Sequence, residues 1–516
     1  MRIQFRTVGR DAGRIVQIVS LMAFVSIPVA MLHREYYAIP ALVASGLAML
    51  AFGGAFARLF ADAPEPDKLH GMLTAAAAWG IVGVFGALPL LLIAWTITVD
   101  PFPAWTNTPP LNETTAAFQD PLNGIFESLS GFTSTGLTMA NTEEELTATM
   151  QWWRSFTEWI GGVGVIVLTV GILARPGSGS LTLYESEARS TKIHPSIVST
   201  VHEIWKIYLV LTVGAVGLFL TVGMPAWGAI NHAMTGISTG GFSIHADSIG
   251  HYDSPLVEYA VVPVMVAGSI AFPVHYLIFN GEIKNLYTDI QTRWVFIWFS
   301  VGSAVLTGVL YLRGTYDSLE ESFRYGLFQF VSGTSNAGFG TTAIGNGTEQ
   351  VWTADTTLIV CAGMLTGAAA GSTVGGIKLI RAITLVKGAR WRIAGTFTPD
   401  SAVRHLDIGD RSLDEGQASK ELEEAAIVLI LWLIFLAVGL AVLLATLPTE
   451  IPTEYAIFEV MSAQSTVGLS AGITGPDMPV AAKVVFLVNM WIGRLEIIPV
   501  LVLLRSAMVR AGLYDQ

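Results

Sequence analysis

Residues 126–137 read Phe126-Glu-Ser-Leu-Ser-Gly-Phe-Thr-Ser-Thr-Gly136-Leu137, and the pattern returns three more times. The copies are Asn231-His-Ala-Met-Thr-Gly-Ile-Ser-Thr-Gly-Gly241-Phe242, Phe328-Gln-Phe-Val-Ser-Gly-Thr-Ser-Asn-Ala-Gly338-Phe339 and Phe458-Glu-Val-Met-Ser-Ala-Gln-Ser-Thr-Val-Gly468-Leu469. Aligned on the last glycine, Ser130, Thr235, Ser332 and Ser462 share a column, followed by Gly131, Gly236, Gly333 and Ala463. Ser134, Thr239, Asn336 and Thr466 stand two residues before that glycine. Each copy predicts a short apolar helix running into a small-residue loop. One such loop reads as the turn of a helical hairpin. Four matched copies between apolar helices predict a pseudo-symmetric pore with one loop per repeat.

The physical case rests on dehydration. A monovalent cation entering hydrocarbon loses water, and oxygens must replace it. Backbone carbonyls do so where the chain is extended and its side chains point away. Glycine reaches backbone angles that a β-carbon forbids, and hydroxyls satisfy neighbouring groups or add a ligand. Irregular backbone at membrane depth is tolerated only where it is buried in protein or lines a cavity.

Composition agrees with a polytopic membrane protein. The chain has 516 residues, 52% hydrophobic and 13% charged, with a mean hydropathy of +0.57. A soluble domain carries about twice that share of charge. Cys361, the single cysteine, lies in an apolar run, which excludes an internal disulfide and a cysteine metal site. Net charge is -12 and Arg outnumbers Lys. No basic stripe suits nucleic acid.

Taken in order, 15–32 and 39–60 predict an initial hairpin without a pore loop, and 61–71 a linker. The early Arg residues mimic a signal peptide, but His33, Arg34 and Glu35 follow without a cleavage motif. The repeats follow as 72–175, 176–281, 282–411 and 412–516. Each predicts an outer helix, a re-entrant pore helix with its loop, and an inner helix. The inner helices are expected at 150–174, 257–279, 353–386 and 481–505. The fold class expected is an all-α polytopic membrane protein with ten crossings and four half-helices.

Charge sets the orientation. Lys and Arg gather at the N-terminus, at Arg58 and Lys68, and in 175–206, 281–293, 378–411 and 505–510. The filter-side loops 99–120, 243–256, 340–352 and 470–479 contain neither. Both termini are therefore expected in the cytoplasm of a cell-membrane protein, with the filters opening outwards. Asp100, Glu113, Asp120, Glu143, Glu144, Glu145, Asp247 and Asp253 would concentrate cations at the entrance, or serve only as solvated loop acids. Asn112-Glu-Thr and Asn346-Gly-Thr fit the glycosylation pattern on that face.

Arg494 sits mid-way along an apolar helix, where a charge costs roughly 2.5–3.5 kcal/mol. It should face the pore, or pair with Glu496 or Glu158. Residues 367–376 read Gly367-Ala-Ala-Ala-Gly371-Ser-Thr-Val-Gly375-Gly376, too glycine-rich for a strong helix. Close helix packing would also explain them. Lys378 beyond them meets a carbonyl or acid, or snorkels to the cytoplasm. Gly161, Gly162 and Gly164 read as packing, and His232 as a satisfied core residue. Sequence spacing shows no metal-ligand cluster, phosphate loop or nucleophile elbow, and no enzyme activity is expected.

The whole resembles the Trk/Ktr/HKT superfamily of cation transporters, most closely its Trk-type potassium uptake subunits. Ser130–Gly136, Ser238–Phe242 and Ser465–Leu469 are similar to that family's first, second and fourth filters. Gln151-Trp-Trp-Arg-Ser-Phe-Thr-Glu-Trp-Ile-Gly-Gly162 is similar to its first inner helix, Gly371-Ser-Thr-Val-Gly-Gly-Ile-Lys378 to the break in its third, and Ile492-Gly-Arg-Leu-Glu496 to its fourth. Ser134 and Asn336 stand where the family usually has Thr, and Glu158 where Gln is common.

The resemblance implies potassium uptake, with K+ as transported ion and no tightly bound cofactor. The coordinating oxygens would belong to Ser134, Thr135, Gly136, Thr239, Gly240, Gly241, Asn336, Ala337, Gly338, Thr466, Val467 and Gly468. A gate would comprise Gly367, Gly371, Gly375, Gly376, Lys378 and Arg494. Expected partners are membrane lipid, a second copy in a homodimer, and a cytoplasmic ring of nucleotide-binding RCK-type regulatory subunits. Three rivals remain: a sodium-permeable or K+/Na+-coupled member, the ion-translocating subunit of a potassium-pumping ATPase, and a broken-helix secondary transporter. The last predicts inverted halves, whereas these copies run parallel.

Overall fold

Apolar runs of this length can satisfy their backbone in lipid only as helices. In the computed structural model they are helices. It describes residues 5–106, 108–173, 197–342, 344–345, 352–399, 403–448 and 451–510. The stretch 174–196, with part of the basic tally, and the Asn346-Gly-Thr pattern lie outside the described residues. Phe5–Leu32 and Ala38–Leu59 form the N-terminal hairpin. Its helices meet at Gly13 and Gly53, where a β-carbon on either would run into the other's carbonyl.

The first outer helix, Lys68–Val99, starts at an Asp67 cap that accepts from the His70 amide at 2.9 Å. Its pore helix is Pro121–Phe132 and its inner helix Ala148–Leu173. The second set is Ile197–Thr221, Ala226–Ile237, and Pro255–Ser269 with Phe272–Phe279. The third is Ile290–Arg313, Leu319–Thr334, and Ala354–Thr366 with Leu379–Gly395. The fourth is Glu415–Thr446, Thr453–Ser465, and Val480–Arg494 with Ile498–Arg510. By length and composition six described helices can cross a membrane, or eight if each bent pair is one span. Ala148–Leu173 and the interrupted third inner segment occupy the two remaining inner positions.

Two inner segments depart from the continuous runs expected, and the third breaks at its glycine-rich stretch, as expected. The second bends by 105° and the fourth by 118°. Pro273 and Pro499 open the new helices, where a missing amide proton costs nothing. Glu496 and Ile497 take left-handed angles (φ +60° and +69°) at the fourth bend. The third is interrupted by the irregular stretch 367–378. Among the described residues one pair of strands forms. Leu406–Ile408 pairs antiparallel with Arg411–Leu413 around a turn begun by Gly409 at φ +60°. This hairpin buries Leu406, Ile408 and Leu413 against Ile380 and Ala418.

Candidate functional site

The four pore helices end alike. Ser134, Thr239, Asn336 and Thr466 all adopt the left-handed conformation, with φ of +50°, +51°, +57° and +58°. The next residue then donates its amide five residues back. Thr135 reaches the Ser130 carbonyl at 2.8 Å, Gly240 that of Thr235 at 2.9 Å, Ala337 that of Ser332 at 3.0 Å and Val467 that of Ser462 at 2.8 Å. This is a Schellman closure made four times. It gives the Ser/Thr column of the sequence a physical role, since its carbonyls terminate the pore helices.

The glycines come next, again left-handed: Gly136 at +85°, Gly241 at +85°, Gly338 at +68° and Gly468 at +94°. Each faces the following loop. A β-carbon on Gly136 would strike the Gly240 carbonyl oxygen, one on Gly241 that of Ala337, one on Gly338 that of Val467, and one on Gly468 that of Thr135. All four approaches lie below the 3.0 Å that real β-carbons respect. The contacts run first to second to third to fourth and back to first, so the loops close a ring. It is narrow, because a β-carbon on Gly468 would also come within 3.2 Å of the Gly240 oxygen. The negative ends of four helix dipoles stand within a few residues of this ring, which favours a cation there.

Side chains of the left-handed column turn to surrounding structure. Ser134 Oγ donates to the Glu158 carbonyl at 3.3 Å, and Thr239 Oγ1 to Thr373 Oγ1 at 3.0 Å. The Asn336 amide donates to the Ser465 carbonyl, tying the third loop to the fourth. Thr466 Oγ1 lies against Gly375, where no β-carbon would fit. Glu158, fully buried, accepts from the Phe242 amide at 3.2 and 3.1 Å and braces the second loop.

A second polar column runs through the four copies. Glu127, His232, Gln329 and Glu459 each stand nine residues before the ring glycine, and each holds the segment leaving the ring. Glu127 accepts from the Met139 amide at 2.6 Å, and His232 Nε2 meets Ser243 Oγ at 2.9 Å. Gln329 donates to the Thr342 carbonyl at 2.9 Å, and Glu459 accepts from the Ala471 amide at 2.7 Å. Four polar residues at one position of four apolar helices were the available signal. His232 is a satisfied core residue, as expected; its Nδ1 also lies 2.9 Å from the Gly228 carbonyl. Arg154 completes the first brace, 2.6 Å from Glu127 and donating to the Ser243 carbonyl at 2.8 Å. Removing one member of a buried pair strands the other charge. Arg154→Met should therefore cost about 3–5 kcal/mol, read as a lowered unfolding temperature of the purified protein, and an unchanged temperature would refute the brace.

Beneath the ring lies the 367–378 stretch. Gly367, Gly371 and Gly376 are left-handed, at φ +46°, +79° and +66°. Thr373 Oγ1 donates to the Gly268 carbonyl at 3.0 Å, and the Phe272 amide donates to the Gly371 carbonyl at 3.1 Å. Gly375 and Gly376 pack against Ser465 and Thr466 of the fourth loop. Arg494 does not pair with Glu496 or Glu158. Its guanidinium donates to the Thr373 carbonyl, and to the carbonyls of Gly161 at 3.0 Å and Gly162 at 3.2 Å. It thus bridges the loop to the first inner helix. Gly161 and Gly162 pack tightly against Phe132 and Ser238, as expected, while their carbonyls hold the arginine. Glu496 instead takes Arg381 at 2.6 Å, with Lys378 at 4.0 Å. Lys378 is buried and donates to the Val374 carbonyl, so it does not snorkel.

On the other side of the ring a cavity of about 460 Å³ is lined by Gly136, Gly241, Gly338, Gly468, Glu143 and His245, among others. Asn112 caps a short helix by accepting from the Thr115 amide at 2.7 Å. Sequence spacing suggested no metal cluster, yet the fold brings Glu144, His245 and His251 together at this rim. The ring brings backbone carbonyls of four loops close together, while a loop and a guanidinium stand beneath it.

Residues 104–511 match the family model described as TrkH, cation transport protein. An uncharacterized cation transporter of Methanocaldococcus jannaschii is 32% identical over 504 residues, covering 95% of this chain and 93% of the relative. The Trk system potassium uptake protein TrkH of Halomonas elongata is 29% identical over 457 residues, covering 85% and 86%. The crystal structure of the potassium transporter TrkH from Vibrio parahaemolyticus superposes with a TM-score of 0.81 at 26% identity. It covers 97% of this chain and 99% of that one.

Proposed function

The chain belongs to the TrkH family of cation transport proteins, and on that premise we propose that it carries potassium into the cell through the four-loop ring. The observation that carries the reading is the closed order of ring contacts, Gly136 to Gly240, Gly241 to Ala337, Gly338 to Val467 and Gly468 to Thr135. Residues 134–136, 239–241, 336–338 and 466–468 supply the carbonyl oxygens that replace water. Their left-handed residues alternate with ones that have no positive φ, a backbone that keeps successive carbonyls on one side. Two of the proteins named above, the TrkH of Halomonas elongata and that of Vibrio parahaemolyticus, are described as a potassium uptake protein and a potassium transporter, which favours K+ as the ion.

Gly367, Gly371, Gly375, Gly376, Lys378 and Arg494 form the gate in this reading. Its support is the three-way bond of Arg494 and the burial of the loop directly below the second and fourth filters. The gate runs on into Leu379–Gly395, whose Arg390 and Arg392 are exposed. A cytoplasmic nucleotide-binding ring pulling that helix would pull the loop. A homodimer with both termini cytoplasmic completes the reading, supported by the family resemblance and by filter-side loops without Lys or Arg.

The test is flux into liposomes holding the purified protein, in K+, Rb+, Na+ and Li+. The expected order places K+ and Rb+ well above Na+ and Li+. Equal Na+ and K+ flux would overturn the potassium assignment, and a strict ATP requirement with a P-type partner would replace it with a pump subunit.

A further inference from the structure

Glu144 belongs to the loop before the first inner helix, and His245 and His251 to the loop after the second filter. We propose that these three side chains form an external site for a divalent transition-metal ion of the zinc class, and that the bound ion restrains cation entry. The restraint rests on the potassium reading above, whereas the binding site does not.

Three observations carry the site. Two imidazole nitrogens and one carboxylate oxygen are a donor set for zinc and its neighbours, not for the harder calcium or magnesium. The donors converge: Glu144 Oε1 lies 3.1 Å from His245 Nδ1 and 4.0 Å from His251 Nδ1, and the three ligand atoms fall within 4.8 Å of one another. Metal–ligand bonds of about 2.0–2.2 Å in a tetrahedron place ligand atoms roughly 3.3 Å apart; the donors approach that spacing, and the stacked rings must turn about their side-chain torsions to aim both lone pairs at one ion. The cluster is also held in place. The Ala246 amide donates to both Glu144 oxygens at 3.1 and 3.2 Å. The two imidazoles stack 3.5 Å apart at 6°, and Tyr252 stands edge-on to both.

A hydrogen bond from one histidine would satisfy the carboxylate alone. It does not use His251, whose Nδ1 stands 4.0 Å from the same carboxylate oxygen. Location then gives consequence. His245 lines the same cavity as the ring glycines, four residues beyond Gly241. A divalent ion there offsets the negative charge of Glu144 and of the cavity-lining Glu143 and Asp247, which removes the attraction for incoming cations. The ion would also tie the first outer loop to the second.

The test uses the full-length purified chain and Zn2+ alone. Calorimetric titration should show one equivalent bound per chain. His245→Asn or His251→Asn should weaken that affinity at least about 10-fold, since each removes a ligand. Unfolding temperatures of both variants without metal should match the parent, which separates ligand loss from misfolding. Absence of stoichiometric Zn2+ binding, or equal affinity in the double variant, would overturn the site. In proteoliposomes, external Zn2+ should slow uptake by the parent and spare the double variant. Zn2+ that binds without slowing uptake would overturn the restraint. Because titration needs no transport, failure of the potassium reading leaves the binding result interpretable.

Discussion

Gly468→Ser is expected to cut potassium uptake roughly 100-fold, the equivalent of about 2.7 kcal/mol at the transport barrier, and to erase the preference for K+ over Na+. Gly468 sits at φ +94°, where an L-residue is strained. The left-handed region alone costs roughly 1–2 kcal/mol. A β-carbon there would also drive into the Thr135 carbonyl on the neighbouring first loop and crowd that of Gly240 on the second loop, across the ring. The serine cannot relieve one contact without displacing another ring oxygen. Both effects act on the carbonyls proposed to replace water, so preference should fall along with rate. Uptake in K+, Rb+ and Na+ by variant and parent reads both. A variant that folds, transports at the parental rate and still favours K+ would remove Gly468 from the filter. Gly475, also in the fourth repeat, has nothing within 4 Å of its added β-carbon and serves as the control.

The ring was legible because its signal is repetition. Four glycines at matched positions, each two residues after Ser134, Thr239, Asn336 or Thr466, could be read without coordinates. All eight residues prove left-handed. What could not be read was anything set by cross-chain contact. Arg494 stands out in the sequence as a charge within an apolar helix, but its partners are backbone carbonyls at 161, 162 and 373, and any residue type supplies a carbonyl. Acids were the visible candidates in the sequence, and both are otherwise engaged. The bends at 270–271 and 495–497 were hidden for a related reason. Pro273 and Pro499 are tolerated in membrane helices, so neither announces a break. The column Glu127, His232, Gln329 and Glu459 has no single chemistry in the sequence, since two carboxylates accept from backbone amides, an imidazole meets a hydroxyl and a carboxamide donates to a carbonyl. Glu144, His245 and His251 were invisible because a loop from each of two repeats contributes, roughly a hundred residues apart.

Arg494→Gln is expected to raise basal uptake roughly 10–100-fold, corresponding to about 1.5–3 kcal/mol of lost bias towards the closed arrangement, the scale of one charge-assisted hydrogen bond. The guanidinium joins the Thr373 carbonyl to those of Gly161 and Gly162, and a glutamine amide cannot span all three. Two mechanisms push the same way, because the substitution also removes a positive charge from the path below the ring. Arg494→Lys separates them. Lysine keeps the charge but lacks the planar fork that reaches several carbonyls at once. If the latch dominates, the lysine variant should leak as the glutamine variant does. If charge dominates, it should stay as tight as the parent. Uptake in proteoliposomes without any regulatory partner reads the difference, with the unfolding temperature reporting whether each variant is intact. Unchanged or reduced uptake in an intact Arg494→Gln protein would remove the arginine from the gate. The carbonyl bonds would then be packing, and obstruction would fall to the 367–378 loop alone.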